Sequence, residues 1–293
     1  MSGIVLALPG NEAMAAAIAE AEGLELGVIE TRRFPDGETY LRHLSDLDDK
    51  SVALLCTLND PDAKLVPLLF AARAARDQGA RRVGLVAPYL AYMRQDQVFR
   101  RGEGVSAEYF AEALAGAVDW LVTVEPHLHR IAGLNRIYPI PTRAVHVSPL
   151  LADWIRQEVT DPVLIGPDAE SRQWVAAVAE CFSAPYAVAR KTRLGDRRVR
   201  IDMPDLSPFS GRTPVLVDDV VASGRTLLEL AGRLDQTFPS APYCAVVHGL
   251  FSGESYAQLQ SACRVVASTN TVPHPSNAVD VSVLVGAALR DLM

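Results

Sequence analysis

Short apolar runs alternate along the chain with longer stretches in which apolar residues recur at helical spacing. The runs at 4–8, 52–55, 83–87 and 120–124 predict buried strands in the first half, and those at 163–165, 186–189, 214–217, 243–247 and 264–267 predict strands in the second. Between them, apolar positions at i, i+3, i+4 and i+7 predict helices over 12–22, 62–78, 106–116, 149–158, 170–182, 226–237 and 254–262. The strand candidates read as unbroken apolar runs, the pattern of strands covered on both faces. Alternation with helices then predicts a mainly parallel sheet flanked by helices. The proline-bearing stretch Pro139-Ile-Pro141 marks the division, giving domains at 1–142 and 143–293 with a similar βα rhythm. That rhythm suggests a structural duplication without a clear sequence repeat.

Composition narrows the class. At 293 residues the chain fits two domains of moderate size, and 49% hydrophobic with 22% charged residues is ordinary for a globular protein with large cores. A net charge of −7 argues against a general nucleic-acid binder. Cys56, Cys181, Cys244 and Cys263 are widely spaced and form no Cys-X-X-Cys pair, against a disulfide framework or a zinc site. The amino-terminal residues lack the basic region of a signal peptide, and no apolar run reaches membrane-spanning length. A cytoplasmic protein with no membrane partner is the expectation. Lysine occurs only at 50, 64 and 191, chiefly a bias toward arginine, and this makes Lys191 in Arg190-Lys-Thr-Arg193 conspicuous.

In doubly wound sheets ligands collect at the carboxyl ends of strands. Asp96, His127, Asp168 and Asp218 all follow predicted strands. The richest stretch is Leu216-Val-Asp-Asp-Val-Val-Ala-Ser-Gly-Arg-Thr226. It reads as a strand ending in Asp218 and Asp219, a loop, and the start of a helix. Backbone N–H groups at such a turn, with the helix dipole, bind phosphate; the hydroxyls of Ser223 and Thr226 add donors. The paired acids suit sugar hydroxyls or Mg²⁺, although Asp-Asp after a strand also serves simply to cap a helix. No Gly-Lys dipeptide is present, which excludes a Walker A loop. Gly102-Glu-Gly-Val-Ser-Ala107 follows charged residues instead of a strand, so it is no dinucleotide fingerprint.

Polar islands accompany that stretch: Phe34-Pro-Asp-Gly-Glu38, Arg94-Gln-Asp96, His127 after a strand, Pro167-Asp168 and Lys191-Thr-Arg193. Their order and spacing resemble the ribose-phosphate pyrophosphokinases, over nearly the whole chain. The tract running from Arg94 through Phe99 to Glu103 resembles the archaeal-type branch. The resemblance implies two tandem phosphoribosyltransferase-like domains and transfer of the diphosphoryl group of MgATP to the 1-hydroxyl of ribose 5-phosphate. It implies that Ala222, Ser223, Gly224, Arg225 and Thr226 grip the 5-phosphate while Asp218 and Asp219 hold ribose hydroxyls. Phe34, Asp36 and Glu38 would receive adenine, in this family commonly across a subunit interface, and Arg94, Gln95 and Asp96 would contact ATP. His127 and Asp168 would ligate Mg²⁺, and Lys191 and Arg193 would sit on the family's mobile catalytic loop. A homo-oligomer is the implied assembly.

The chain departs from the family at the phosphate loop, usually Asp-Thr-Gly-Gly-Thr or Ser-Thr-Gly-Gly-Thr. Here Ala222 removes a polar side chain and Arg225 replaces a glycine. Other readings therefore stand beside the first: a diphosphokinase for another sugar phosphate, a phosphoribosyltransferase, or a catalytically silent regulatory homologue.

Overall fold

The computed structural model describes residues 3–193 and 199–293; the side chains of residues 191–201 lie outside the description. The chain divides into two units. The first comprises residues 1–145, 271–273 and 281–293, and the second residues 146–270 and 274–280. The sequence pattern put the division at 142/143 and gave no sign that the later segments return to the first unit.

In the first unit β1 (Gly3–Ala7), α1 (Glu12–Glu22) and β2 (Glu25–Gly27) precede an antiparallel hairpin of β3 (Ile29–Arg33) and β4 (Thr39–His43). There follow β5 (Ser51–Leu55), α2 (Pro61–Asp77), β6 (Arg82–Ala87), α3 (Ser106–Ala115), β7 (Leu121–Val124) and β8 (Thr142–Val145). The six-stranded sheet runs β2-β1-β5-β6-β7-β8 and is parallel throughout. Its core packs Leu6, Leu54 and Leu85 of the strands against Leu68 and Ala72 of α2 and Leu114 of α3. At Gly84 a Cβ would fall inside the buried Trp120 indole, so only glycine lets that ring lie on the sheet.

The second unit contains α4 (Ser148–Glu158), β9 (Pro162–Gly166), α5 (Arg172–Glu180) and β10 (Tyr186–Val188). A second antiparallel hairpin, β11 (Arg190–Arg193) with β12 (Val199–Asp202), comes next. Then come β13 (Thr213–Val221), α6 (Arg225–Leu234), β14 (Tyr243–Gly249), α7 (Ser255–Ala262), β15 (Val265–Thr269) and β16 (Asn277–Val279). The sheet order is β10-β9-β13-β14-β15-β16, again parallel. Helix α6 shows why such segments fold as they do: Leu227, Leu230, Ala231 and Leu234 form one buried stripe. Each leucine so covered contributes roughly 1.5–3 kcal/mol. The last helix, α8 (Ser282–Ala287), belongs to the first unit and lies against α1, where Arg290 pairs with Glu22 at 2.5 Å.

Two departures from the sequence pattern matter for the site. The strand read as ending at Val217 continues to Val221, so Asp218 and Asp219 are strand residues. Pairing with β14 extends to Val221↔Gly249, and this backbone ladder outweighs the charge of the two side chains. The helix expected from 170 starts at Arg172, because the Asp168 carboxylate draws the N–H groups of Glu170 (3.0 Å) and Ser171 (3.3 Å) into a turn.

Candidate active site

In the second unit the site is built on the carboxyl ends of β9 and β13. Asp168 stands in the loop after β9, and the Ser171 hydroxyl donates to its carbonyl at 2.7 Å. Asp218 accepts the N–H of Asp219 at 3.1 Å, and Asp219 accepts that of Val220 at 2.8 Å. Burial, reinforced by the neighbouring carboxylates of Asp219 and Asp168, pushes Asp218 well above the usual carboxylate range. A carboxyl whose charge is disfavoured in this way suits a cation or hydroxyl donors beside it.

Beyond β13, Ala222 and Ser223 lead into Gly224, which caps α6 at φ 66°, left-handed backbone that suits glycine. The backbone N–H groups of Ser223, Gly224 and Arg225 donate to nothing among the described residues. They stand at the positive end of a ten-residue helix, the arrangement that takes a phosphate. Thr226 lies in its first turn, and Arg225 is exposed beside the loop.

A segment some thirty residues further along the chain holds this loop. The Ala222 carbonyl accepts three donors, the N–H (2.9 Å) and hydroxyl (3.2 Å) of Ser252 and the hydroxyl of Ser255 (3.1 Å). The Val221 carbonyl takes the N–H groups of Leu250 and Phe251. The segment after β14 thus clamps the chain where it leaves β13. Serines at a helix start, at 252 and 255, were the available signal.

In the first unit Phe34, Asp36 and Glu38 occupy the tip of the β3–β4 hairpin. Phe34 N–H donates to the Glu38 carbonyl (2.8 Å), Gly37 N–H returns to Phe34 (2.9 Å), and Asp36 accepts from Glu38 N–H (3.2 Å). Phe34 is 38% exposed, with the Arg32 guanidinium 4.7 Å from its ring centre. Arg94 is exposed. Gln95 braces the following loop through Gln97, Glu103 and Gly104. Asp96 carries an ion pair from Arg130 (3.0 and 3.2 Å) that covers its carboxylate, a partner the motif did not reveal. Glu103 closes the loop by accepting the N–H groups of Phe99 and Arg100, and that of Arg100 in particular holds its carboxyl below the usual range. His127 follows β7, with its ring 4.3 Å from that of His129. Lys191 and Arg193 lie on β11, and their side chains fall outside the described residues.

The two parallel sheets thus share one strand order, each with an inserted hairpin, and the second carries a loop of free backbone donors directly after paired acids. Residues 4–117 match the N-terminal domain of ribose phosphate pyrophosphokinase, and residues 133–285 match the phosphoribosyl transferase domain. Ribose-phosphate pyrophosphokinase of Methanopyrus kandleri is 34% identical over 99% of both chains, and that of Thermoplasma acidophilum 30% identical over 92% of both. The crystal structure of phosphoribosylpyrophosphate synthetase from Mycobacterium smegmatis shares the fold, with a TM-score of 0.86 at 23% identity over 100% of this chain and 99% of that one. The chain belongs to the ribose-phosphate pyrophosphokinase family, enzymes of the transferase class that form phosphoribosyl pyrophosphate. Among the described residues no helix is long and apolar enough to cross a membrane.

Proposed function

We propose that the enzyme transfers the β,γ-diphosphoryl group of ATP to the 1-hydroxyl of ribose 5-phosphate, releasing AMP. The observation that carries this reading is the free donor array of Ser223, Gly224 and Arg225 directly after Asp218 and Asp219, in a chain of this family. The loop donors take the 5-phosphate. Asp218 and Asp219 accept the ribose hydroxyls and so aim the 1-oxygen at the β-phosphorus. As that bond forms, the 1-hydroxyl loses its proton to solvent, the bond from the β-phosphorus to the oxygen bridging to the α-phosphate breaks, and AMP leaves. Phe34, 38% exposed, offers the part of its ring not covered by Arg32 to adenine. Asp36, Glu38, Arg94 and Gln95 complete the nucleotide contacts, and Asp96, its carboxylate covered, acts there through the Arg130 it holds. Lys191 and Arg193 stabilise charge spreading over the phosphoryl oxygens.

Magnesium fits the donor set. The crowded carboxylates of Asp168, Asp218 and Asp219 are oxygen ligands whose repulsion a divalent cation would relieve. In this reading Asp168 and His127 would hold the ion, with Asp218 and Asp219 near it holding the ribose hydroxyls, and it would supply charge neutralisation for the polyphosphate. A homo-oligomer is part of the same reading, since the hairpin tip carrying Phe34 stands exposed for a neighbouring subunit.

Phosphorus NMR of the protein with MgATP and ribose 5-phosphate tests the proposal. Equal amounts of AMP and a pyrophosphorylated sugar are expected. A folded protein that binds ATP and makes no AMP would overturn it. Arg225, standing where the family loop has glycine, favours one further reading, an acceptor with a second anionic group; replacing ribose 5-phosphate by other sugar phosphates in the same assay distinguishes the two.

A further inference from the structure

The two sheets share one strand order, and each inserts its hairpin at the same point, before the third strand of its unit in chain order. The counterpart of the phosphate loop in the first unit is therefore the segment from Cys56 to Asp60, between β5 and α2, with the β3–β4 hairpin in the place of β11–β12. A cavity of about 330 Å³ opens there. Leu8 beyond β1, Cys56 beyond β5 and Pro67 on α2 supply apolar walls, while Arg32 and Arg33 of the hairpin and Lys64 of α2 bring positive charge.

None of the three cations has a carboxylate within ion-pair distance among the described residues. Lys64 donates to the Thr57 carbonyl (2.9 Å) and the Asn59 amide oxygen (2.5 Å). Arg33 donates to the Ala63 carbonyl (3.3 Å), and Arg32 lies over the rings of Phe34 and Tyr40 (4.7 and 4.2 Å). All of these partners are neutral; Asp60 acts on Lys64 only from farther away. Burial lowers the pKa of Lys64 despite the nearby Cys56 and Asp60, as expected of an ammonium lacking a close counter-ion. Two of the backbone donors that a phosphate would use in the second unit are already taken here: Thr57 N–H goes to the Asn11 side chain (2.8 Å) and Leu58 N–H to the Tyr89 carbonyl (2.9 Å). Recognition in this cavity thus falls to side chains.

We propose that the first unit carries a second anion site, between its hairpin, β1, β5 and α2, that binds a phosphomonoester. Guanidinium forks and an ammonium match phosphate oxygens, and the apolar walls extend beyond what a bare phosphate covers, leaving room for the ester's organic part. The inference stands on the cavity and the duplicated topology; only the count of two equivalents rests on the phosphate loop proposed above, whereas the response of binding to Arg33→Met does not.

Equilibrium dialysis of the full-length protein with ribose 5-phosphate, AMP and inorganic phosphate, each added alone, tests it. At least one phosphomonoester should bind with two equivalents per chain. Arg33→Met and Lys64→Met should each weaken one equivalent roughly tenfold or more and leave the other in place. Comparison of the three probes shows whether the organic part contributes, with inorganic phosphate binding as tightly as the esters if it does not. Arg33 is exposed on the hairpin, so its variant decides the matter even if Lys64→Met disturbs folding. Binding of every probe that Arg33→Met leaves at full strength, whether one equivalent or two, overturns the proposal; loss of a lone equivalent in Arg33→Met would keep it and overturn the phosphate-loop reading instead.

Discussion

The Ser255 hydroxyl donates to the Ala222 carbonyl at 3.1 Å, tying the start of α7 to the loop that follows β13. Ser255 is buried, so a serine that touches no expected substrate atom sets the path of the phosphate loop. Ser255→Ala should raise the KM for ribose 5-phosphate about two- to tenfold with kcat little changed, the loss of one hydrogen bond of roughly 0.5–1.5 kcal/mol. Steady-state kinetics at saturating ATP measures it. An unchanged KM would mean that the two Ser252 donors hold the loop alone.

Gly224→Ala should be more damaging. The residue has φ 66°, where an L side chain costs roughly 1–2 kcal/mol. Its Cβ would also stand 3.1 Å from a Leu259 methyl. A lowered melting temperature together with weakened ribose 5-phosphate binding is expected, read by thermal denaturation with and without the sugar phosphate.

His43 makes stability depend on pH. Its Nε2 bonds the Ala71 carbonyl at 2.9 Å, while its buried Nδ1 has no partner. Burial lowers its pKa below the unfolded value of about 6.5. The neutral form is the one the fold favours, so stability is full above the unfolded pKa and falls as pH drops from there toward the folded pKa. His274, lowered by burial as well, acts in the same sense. His43→Gln keeps a donor for Ala71 without titrating. The difference between urea midpoints at pH 7.5 and 5.5 should shrink in this variant; a difference as large as in the parent protein would assign the effect to other groups.

Lys191→Ala should lower turnover roughly 10²–10³-fold while ATP still binds, since the lysine is proposed to act on developing charge more than on bound nucleotide. Single-turnover kinetics alongside nucleotide titration separates the two effects. Normal turnover would remove Lys191 from the mechanism.

The sheets were legible in the sequence because their strands are buried on both faces and read as apolar runs, as in 52–55 and 243–247. The β3–β4 hairpin was not legible. Ile29-Glu-Thr-Arg-Arg33 and Thr39-Tyr-Leu-Arg-His43 pair only with each other outside the sheet, so they carry no unbroken apolar signal. The end of β13 was misread for a related reason, since Asp218 and Asp219 look like a stop while their backbones continue a ladder with β14. Within the site, residue types at fixed spacing revealed the loop and the acids. The contacts that position them, Arg130 on Asp96 and Ser255 on Ala222, join segments far apart in the chain, and spacing carries no information about those.

Residues 281–293 belong to the first unit, although the whole second unit is synthesised before them. On the ribosome, the amino-terminal sheet therefore emerges early but waits for α8 to pack against α1. Vectorial synthesis would complete the second unit first, leaving the flank of α1 that α8 covers to be closed last.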